Sequence, residues 1–182
     1  MKTDKEIFLD ELVRVNLAGE YGAKRIYEGQ LAALKNSPDA YKKVEHMLAQ
    51  ELEHLKYFEK ELVIRKSRPS LFSPLWHVGG FALGYITAKL GEKSAYACTI
   101  AVEEVIDKHY QEQILEIEKF SSEENDETLN ILKNDIEKFR CEEVEHKETS
   151  EAEGASTSRL YPLIHFAVSN ISKIAIKVAK KI

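Results

Sequence analysis

The stretch Arg140-Cys141-Glu142-Glu143-Val144-Glu145-His146 decides how the rest of this chain is read. Glu143 and His146 are three residues apart, so on a helix they share a face. Counted at about 100° per residue from Glu143, that face also carries Leu129, Leu132, Ile136 and Phe139. A second pair with the same spacing, Glu51 and His54, lies on a stripe of Val44, Met47, Leu48, Leu55, Phe58 and Leu62. A carboxylate buried among such side chains is costly unless something positive compensates it.

Each pair follows a segment with one acid at the centre of its apolar stripe. Residues 4–35 read as a helix whose inward stripe is Leu9, Val13, Asn16, Glu20, Ala23, Tyr27, Leu31 and Leu34. Asp10, Arg14, Lys24, Glu28 and Lys35 fall away from it. Residues 94–120 repeat the pattern with Tyr96, Thr99, Ile100, Glu103, Ile106, Tyr110, Ile114 and Ile117. Glu104 is rotated about 100° off that stripe. The two segments align, Ala18-Gly19-Glu20 through Tyr27 to Gln30 with Ala101-Val102-Glu103 through Tyr110 to Gln113. The chain thus reads as two helix pairs, each giving one Glu and one Glu-x-x-His. That is the ligand set of a carboxylate-bridged dimetal site inside a helical bundle.

The candidate ligands are Glu20, Glu51, His54, Glu103, Glu143 and His146. Oxygen donors with one imidazole per metal suit iron or manganese better than zinc. Each imidazole, binding through one ring nitrogen, needs a partner for the other. One Glu-x-x-His is unremarkable in a chain with 31 acids and six histidines. Two on apolar stripes, each after a helix with a central Glu, carry the reading. Tyr27 and Tyr110 read as tyrosines packed beside the ligands. His46 and Glu53 read as surface residues, and Cys98 and Cys141 make neither a zinc spacing nor a disulfide framework.

At 182 residues, with 8 Gly and 4 Pro and 31% charged residues, the chain reads as one all-α domain over 1–182. The bundle helices are expected at 4–35, 38–65, 94–120 and 127–151. Ser37 is expected to cap the second, with Pro38 at its first position. Ser121 to Asp126 reads as a polar turn. Two accessory helices are expected at about 71–90 and 159–181. Residues 71–88 lack any Asp, Glu, Lys or Arg. They would span about 27 Å, and Pro74, His77, Thr87 and the glycines make them a poor membrane crossing. They read as a helix covering the bundle and lying at an interface, with Gly80 and Gly84 allowing close backbone approach. The last helix is apolar along Leu160, Leu163, Ile164, Ala167, Val168, Ile171, Ile174 and Val178 and ends in lysines, which suits an anionic lipid surface.

The net charge is −5, yet residues 154–182 hold five basic and no acidic residues, leaving 21 − 31 = −10 for the remainder. So acidic a body excludes nucleic acid as a partner. Met1 to Asp10 are charged and lack a signal-peptide core. Iron storage, peroxide reduction and oxygenation of a hydrophobic substrate all fit a dimetal bundle. An apolar 71–88 segment is awkward on a storage cage, and no Cys-x-x-Cys module accompanies the bundle. A lipid-soluble substrate taken from a bilayer fits best. A ferritin-like iron-binding or peroxide-reducing protein is the alternative.

The segments Arg14-Val-Asn-Leu-Ala-Gly-Glu-Tyr-Gly-Ala23, Glu51-Leu-Glu-His54, Thr99-Ile-Ala-Val-Glu-Glu-Val-Ile-Asp-Lys-His-Tyr110 and Phe139-Arg-Cys-Glu-Glu-Val-Glu-His146 resemble the demethoxyubiquinone hydroxylase family of ubiquinone biosynthesis. The resemblance runs from about Asp10 to the C-terminus. It implies a ferritin-like four-helix di-iron bundle with two membrane-associating helices and the six ligands above. It implies a monooxygenase that hydroxylates the ring of demethoxyubiquinol, with two iron ions, dioxygen as co-substrate and NADH as electron donor. Tyr110, beside His109, is then the candidate for electron transfer. Gly79-Gly-Phe-Ala-Leu-Gly84 follows no strand and is no dinucleotide-binding loop. The family implies a peripheral protein on the cytoplasmic face of a bacterial membrane or the matrix face of the mitochondrial inner membrane. Its expected partners are the polyprenyl quinol, the membrane surface, a lipid-presenting protein and further copies of itself. Leu17 departs from the family, whose members often have His there, and lies outside the ligand set.

Overall fold

A computed structural model of the protein describes residues 2–124 and 126–181, with backbone alone at 122–124. The helices are α1 (Asp4–Ala33), α2 (Pro38–Ile64), α3 (Ser73–Lys89), α4 (Glu92–Glu124), α5 (Glu127–Ala152) and α6 (Tyr161–Lys181), with a 3-10 turn at Ala155–Thr157. Among the described residues there is no strand. The all-α expectation therefore holds.

Local chemistry accounts for two helix starts. Thr3 and Glu6 form a reciprocal capping box at the start of α1. Asp126 caps α5 by accepting from the Thr128 amide at 2.9 Å, and Lys5 donates to its other oxygen at 2.6 Å. Two expected ends differ. Pro38 does occupy the first turn of α2, but the Ser37 side chain makes no capping bond. The polar turn expected at Ser121 to Asp126 is mostly helix, because α4 runs on to Glu124. No Gly or Pro interrupts residues 115–124, so nothing in that stretch stops it. Asn125 lies outside the described residues.

Four helices, α1, α2, α4 and α5, surround the candidate ligands. Along each of them the apolar stripe continues on one or both sides of the polar positions. One core cluster includes Ala23, Tyr27, Val44, Met47, Tyr96 and Ile100. The other includes Leu12, Val13, Phe58, Ile117, Leu132 and Ile136. The candidate ligands thus sit at mid-bundle, with an apolar plug above and below. Arg14, expected off the stripe, is buried, and its Nη1 donates to the Lys180 carbonyl at 3.0 Å at the end of α6. A cation meeting the last carbonyls of a helix is favourable.

The accessory helices form a layer over α1 and α4. Helix α3 lies mainly on α1, and α6 mainly on α4, each also touching the other member of that pair. The α1–α3 contact is backbone on backbone. A Cβ on Gly84 would overlap the Ile26 carbonyl, one on Gly80 would lie 2.9 Å from the Arg25 Cβ, and one on Gly29 would lie 2.7 Å from the Tyr85 amide nitrogen. Gly79 to Gly84 is therefore a helix-packing surface inside α3, not a loop.

The substitution Gly84→Ala is expected to destabilise the protein by about 2 kcal/mol or more, as overpacked interfaces do. That corresponds to a fall in Tm of roughly 4–8 °C for a chain of this size. Gly79 is the control, since a Cβ added there would meet nothing within 4 Å. Gly79→Ala should be neutral or slightly stabilising in the same thermal melt.

Candidate metal centre

Helical spacing brings all six candidate ligands to one place. Glu20, Glu51, His54 and Glu143 form one group whose donor atoms lie within 4.8 Å of one another, and Glu51, Glu103, Glu143 and His146 form another. Glu51 and Glu143 belong to both groups. None of the six is more than 1% exposed. The adjacent acids at 103 and 104 face different ways. Glu103 points in, while Glu104 faces Lys147 at 3.5 Å and His165 at 2.8 Å on the outside.

The imidazoles are oriented alike. His54 Nδ1 faces Glu143 at 3.3 Å and Glu20 at 3.4 Å. His146 Nδ1 faces Glu143 at 3.2 Å and Glu51 at 3.5 Å. Each Nε2 points outward to a side chain from the other half of the chain. His54 Nε2 donates to Glu142 Oε2 at 2.5 Å, and His146 Nε2 donates to Gln50 Oε1 at 2.9 Å. A proton held on Nε2 leaves Nδ1 as the lone-pair donor toward the centre.

The carboxylates divide into two kinds. Tyr27 donates to Glu103 Oε1 at 2.5 Å, and Tyr110 donates to Glu20 Oε1. Each tyrosine therefore secures the central Glu of the opposite half. Glu20 and Glu103 keep one buried oxygen apiece without a hydrogen bond, whereas Glu51 and Glu143 keep both. Both imidazole Nδ1 atoms are also without one. Buried polar atoms are ordinarily satisfied. Eight unsatisfied donor atoms converging on one point, six of them oxygen, fit a pair of hard cations.

A second ring of polar contacts follows the same repeat. Asn16 and Gln113 exchange bonds at 2.9 Å, and Gln30 donates to the Ala95 carbonyl at 3.1 Å beside Thr99. His109 is buried with its Nε2 2.9 Å from the Gln113 amide nitrogen, and burial with the Lys180 charge lowers its pKa to about 4. On the far side from α3 and α6, a cavity of about 180 Å³ between α2 and α5 is lined by Lys42, His46, Gln50, Glu145 and His146. Sequence reasoning left Gln50, Glu142 and the tyrosine–carboxylate pairs unassigned. The available signal was positional, since Gln50 and Glu142 each immediately precede the Glu of a Glu-x-x-His.

Electrostatics of the metal-free pocket show the cost of this arrangement. Burial, then the charge of Glu143 and its acidic neighbours, raises Glu51 and Glu103 well above the usual carboxylate range. Burial also raises Glu143, but the imidazoles of His146 and His54 outweigh it and hold it at about 2. Burial lowers His54, yet Glu143 and Glu20 override this and carry it up to about 11. Groups with raised folded values stabilise the fold below their unfolded pKa and lose that contribution as pH rises through the folded value. For Glu51 and Glu103 the loss begins near the ordinary value of 4.5, and for His54 near 6.5, running to about 11. Glu143 acts oppositely, only between 4.5 and about 2. The Tm of the metal-free protein is thus expected to fall from about pH 5 to about pH 9. The rise in Tm on adding iron(II) should grow over the same range, because metal competes with protons for these groups. Thermal melts with and without metal across that range check both slopes.

Known proteins were compared with this chain. A family model described as "Ubiquinone biosynthesis protein COQ7" matches residues 7–179. The chain is 45% identical over 174 residues to a 3-demethoxyubiquinol 3-hydroxylase of Rhodospirillum rubrum, covering 96% of this chain and 78% of that one. It is 42% identical over 156 residues to a rat protein named NADPH-dependent 3-demethoxyubiquinone 3-hydroxylase, mitochondrial, covering 86% and 70%. It is 37% identical over 183 residues to a Saccharomyces cerevisiae protein named 5-demethoxyubiquinone hydroxylase, mitochondrial, covering 96% and 78%. Matched over nearly all of its length, the chain belongs to the COQ7 family of ubiquinone biosynthesis proteins.

Proposed function

We propose that this protein is a di-iron monooxygenase that hydroxylates the ring of demethoxyubiquinol in ubiquinone biosynthesis. The observation that carries this is the set of eight buried donor atoms, from Glu20, Glu51, His54, Glu103, Glu143 and His146, that have no hydrogen bond. The relatives' names supply the reaction class. In the net reaction one atom of dioxygen converts a ring C–H to C–OH. The other leaves as water, formed with two electrons and one proton from a reduced nicotinamide and a second proton from solvent. An iron(II) pair held by these six residues would supply the electrons that activate dioxygen.

The chain's own residues prepare this site in three ways. Glu51 and Glu143, which belong to both donor groups and have no hydrogen bond on either oxygen, would help hold both ions. Glu20 and Glu103, each held on one oxygen by a tyrosine, serve one position apiece. Burial and the neighbouring carboxylates raise the Tyr27 and Tyr110 hydroxyls well above their usual value, so both remain protonated donors. Tyr110 is also the side chain we assign to electron transfer. The electron donor expected from the sequence is NADH, while several relatives are named NADPH-dependent, so both coenzymes belong in the assay.

The substrate's isoprenoid tail calls for a lipid surface, and the accessory layer offers one. Leu71, Leu75, Val78, Ile86, Leu90, Leu163, Phe166, Ile171 and Ile174 are exposed. An apolar surface of this extent on a water-facing protein marks an interaction site. No helix among the described residues is long and apolar enough to cross a membrane. The protein is therefore proposed to sit peripherally on the bilayer that holds the quinol, with α3 and α6 toward the lipid.

The direct test loads the protein anaerobically with iron(II), then adds a short-tail demethoxyquinol, labelled dioxygen and NADH or NADPH. Labelled oxygen in the ring is expected, and its loss in Glu143→Ala. Iron uptake without ring labelling would leave an iron-binding or peroxide-reducing protein instead. Tyr110→Phe should retain its iron and slow turnover. Unchanged turnover would remove Tyr110 from electron transfer.

Membrane placement is tested by co-sedimentation with anionic phospholipid vesicles. The double substitution Leu163→Glu, Phe166→Glu is expected to weaken binding at least about tenfold, since each side chain contributes roughly 1.5–3 kcal/mol on burial. The helix fold, read by circular dichroism, should be unchanged.

A further inference from the structure

The groups bonded to the six ligands are repeat-related in all but one respect. Tyr27 secures Glu103 and Tyr110 secures Glu20. The two Nε2–H groups, by contrast, end on different chemistry. His54 meets the carboxylate of Glu142 at 2.5 Å, and His146 meets the amide oxygen of Gln50 at 2.9 Å. These two partners occupy the same place in the repeat, one residue before the Glu of each Glu-x-x-His.

Resting on the di-metal reading above, we propose that Glu142 and Gln50 are positioning residues that make the two metal positions unequal, the one with His54 binding tightly and the one with His146 binding weakly. An imidazole whose outer N–H is held by a carboxylate is a stronger electron-pair donor than one held by a neutral amide. Hydrogen bonds to ionised acceptors are also roughly twice as strong as neutral ones. Lys138, 3.6 Å from the second oxygen of Glu142, shares that charge only from the exposed surface, where such pairs are weak.

The environment of the two imidazoles points the same way. Phe139 packs against the His54 ring with centroids 4.3 Å apart, closing that side with hydrocarbon. His146 and Gln50 line the cavity between α2 and α5. The weaker position is thus the one next to the cavity, so its metal is the last to enter and the first to exchange. The order of loading is set by residues that touch no metal.

Two single-position proteins separate this inequality from repulsion between the two cations. His146→Ala leaves the His54 position, and His54→Ala leaves the His146 position. Each is titrated with cobalt(II) and followed by its visible absorption, with no turnover involved. His146→Ala should bind cobalt at least about tenfold more tightly than His54→Ala. Adding Glu142→Gln should weaken binding about 10–100-fold in the His146→Ala protein and leave the His54→Ala protein unchanged. Adding Gln50→Glu should tighten binding in the His54→Ala protein and leave the other unchanged.

Equal affinities in the two parents, or a Glu142→Gln effect of the same size in both, overturns the proposal. If the Glu142→Gln proteins do not fold, the Gln50→Glu pair decides it by itself. Absence of cobalt binding in the unsubstituted protein overturns the di-metal reading underneath, a result distinct from two equal sites.

Discussion

The structure depends on one constraint, that four carboxylates and two imidazoles occupy the buried centre of an apolar bundle. Two unit charges about 4 Å apart interact by roughly 4 kcal/mol at an effective dielectric constant near 20. A few like-charged pairs of that size would equal the whole stability of an ordinary domain. Without cations the cost would be met by protons, and burial among the acids accordingly raises Glu51 and Glu103 and carries His54 up to about 11. Two divalent cations would remove the same cost without protons. The apolar clusters on either side separate the acids from the surface lysines.

The reciprocal wiring of the two halves makes the constraint tractable. Each half places its tyrosine on the other half's central Glu, and each imidazole finds its outer partner across the same divide. Neither half could orient its own ligands by itself. Outer contacts of this kind fix ring orientation and leave one defined nitrogen facing the metal. Displacing any one of the six side chains would therefore be felt by both halves.

Much of this was legible in the sequence because a helix converts spacing into direction. The Glu-x-x-His pairs, the central Glu20 and Glu103, and the preference for Glu103 over Glu104 all follow from about 100° per residue. The hydrogen-bond partners were not legible, since they depend on which helix faces which. Gln50 and Glu142 carry no assignment until α2 and α5 are brought together. Arg14 was misplaced for a similar reason, because the wheel of α1 does not contain the end of α6 that buries it. The extension of α4 through Ser121 shows the other limit. Polar composition by itself does not end a helix when neither Gly nor Pro supplies a reason to stop.

The layering gives the site two unlike sides. Helices α3 and α6 cover α1 and α4, and their outer faces carry the exposed apolar residues. Helices α2 and α5 form the opposite side, where the cavity beside His146 is lined by Lys42, His46 and Glu145. Under the proposed function an isoprenoid quinol and a charged reductant, which differ in where they dissolve, would approach from different sides. The glycine contacts between α1 and α3 then acquire a purpose beyond packing. By letting α3 lie backbone to backbone on α1, they bring the apolar layer as near to Glu20 and Tyr27 as two helices can approach. A bulkier contact would hold the exposed apolar layer farther from Glu20 and Tyr27.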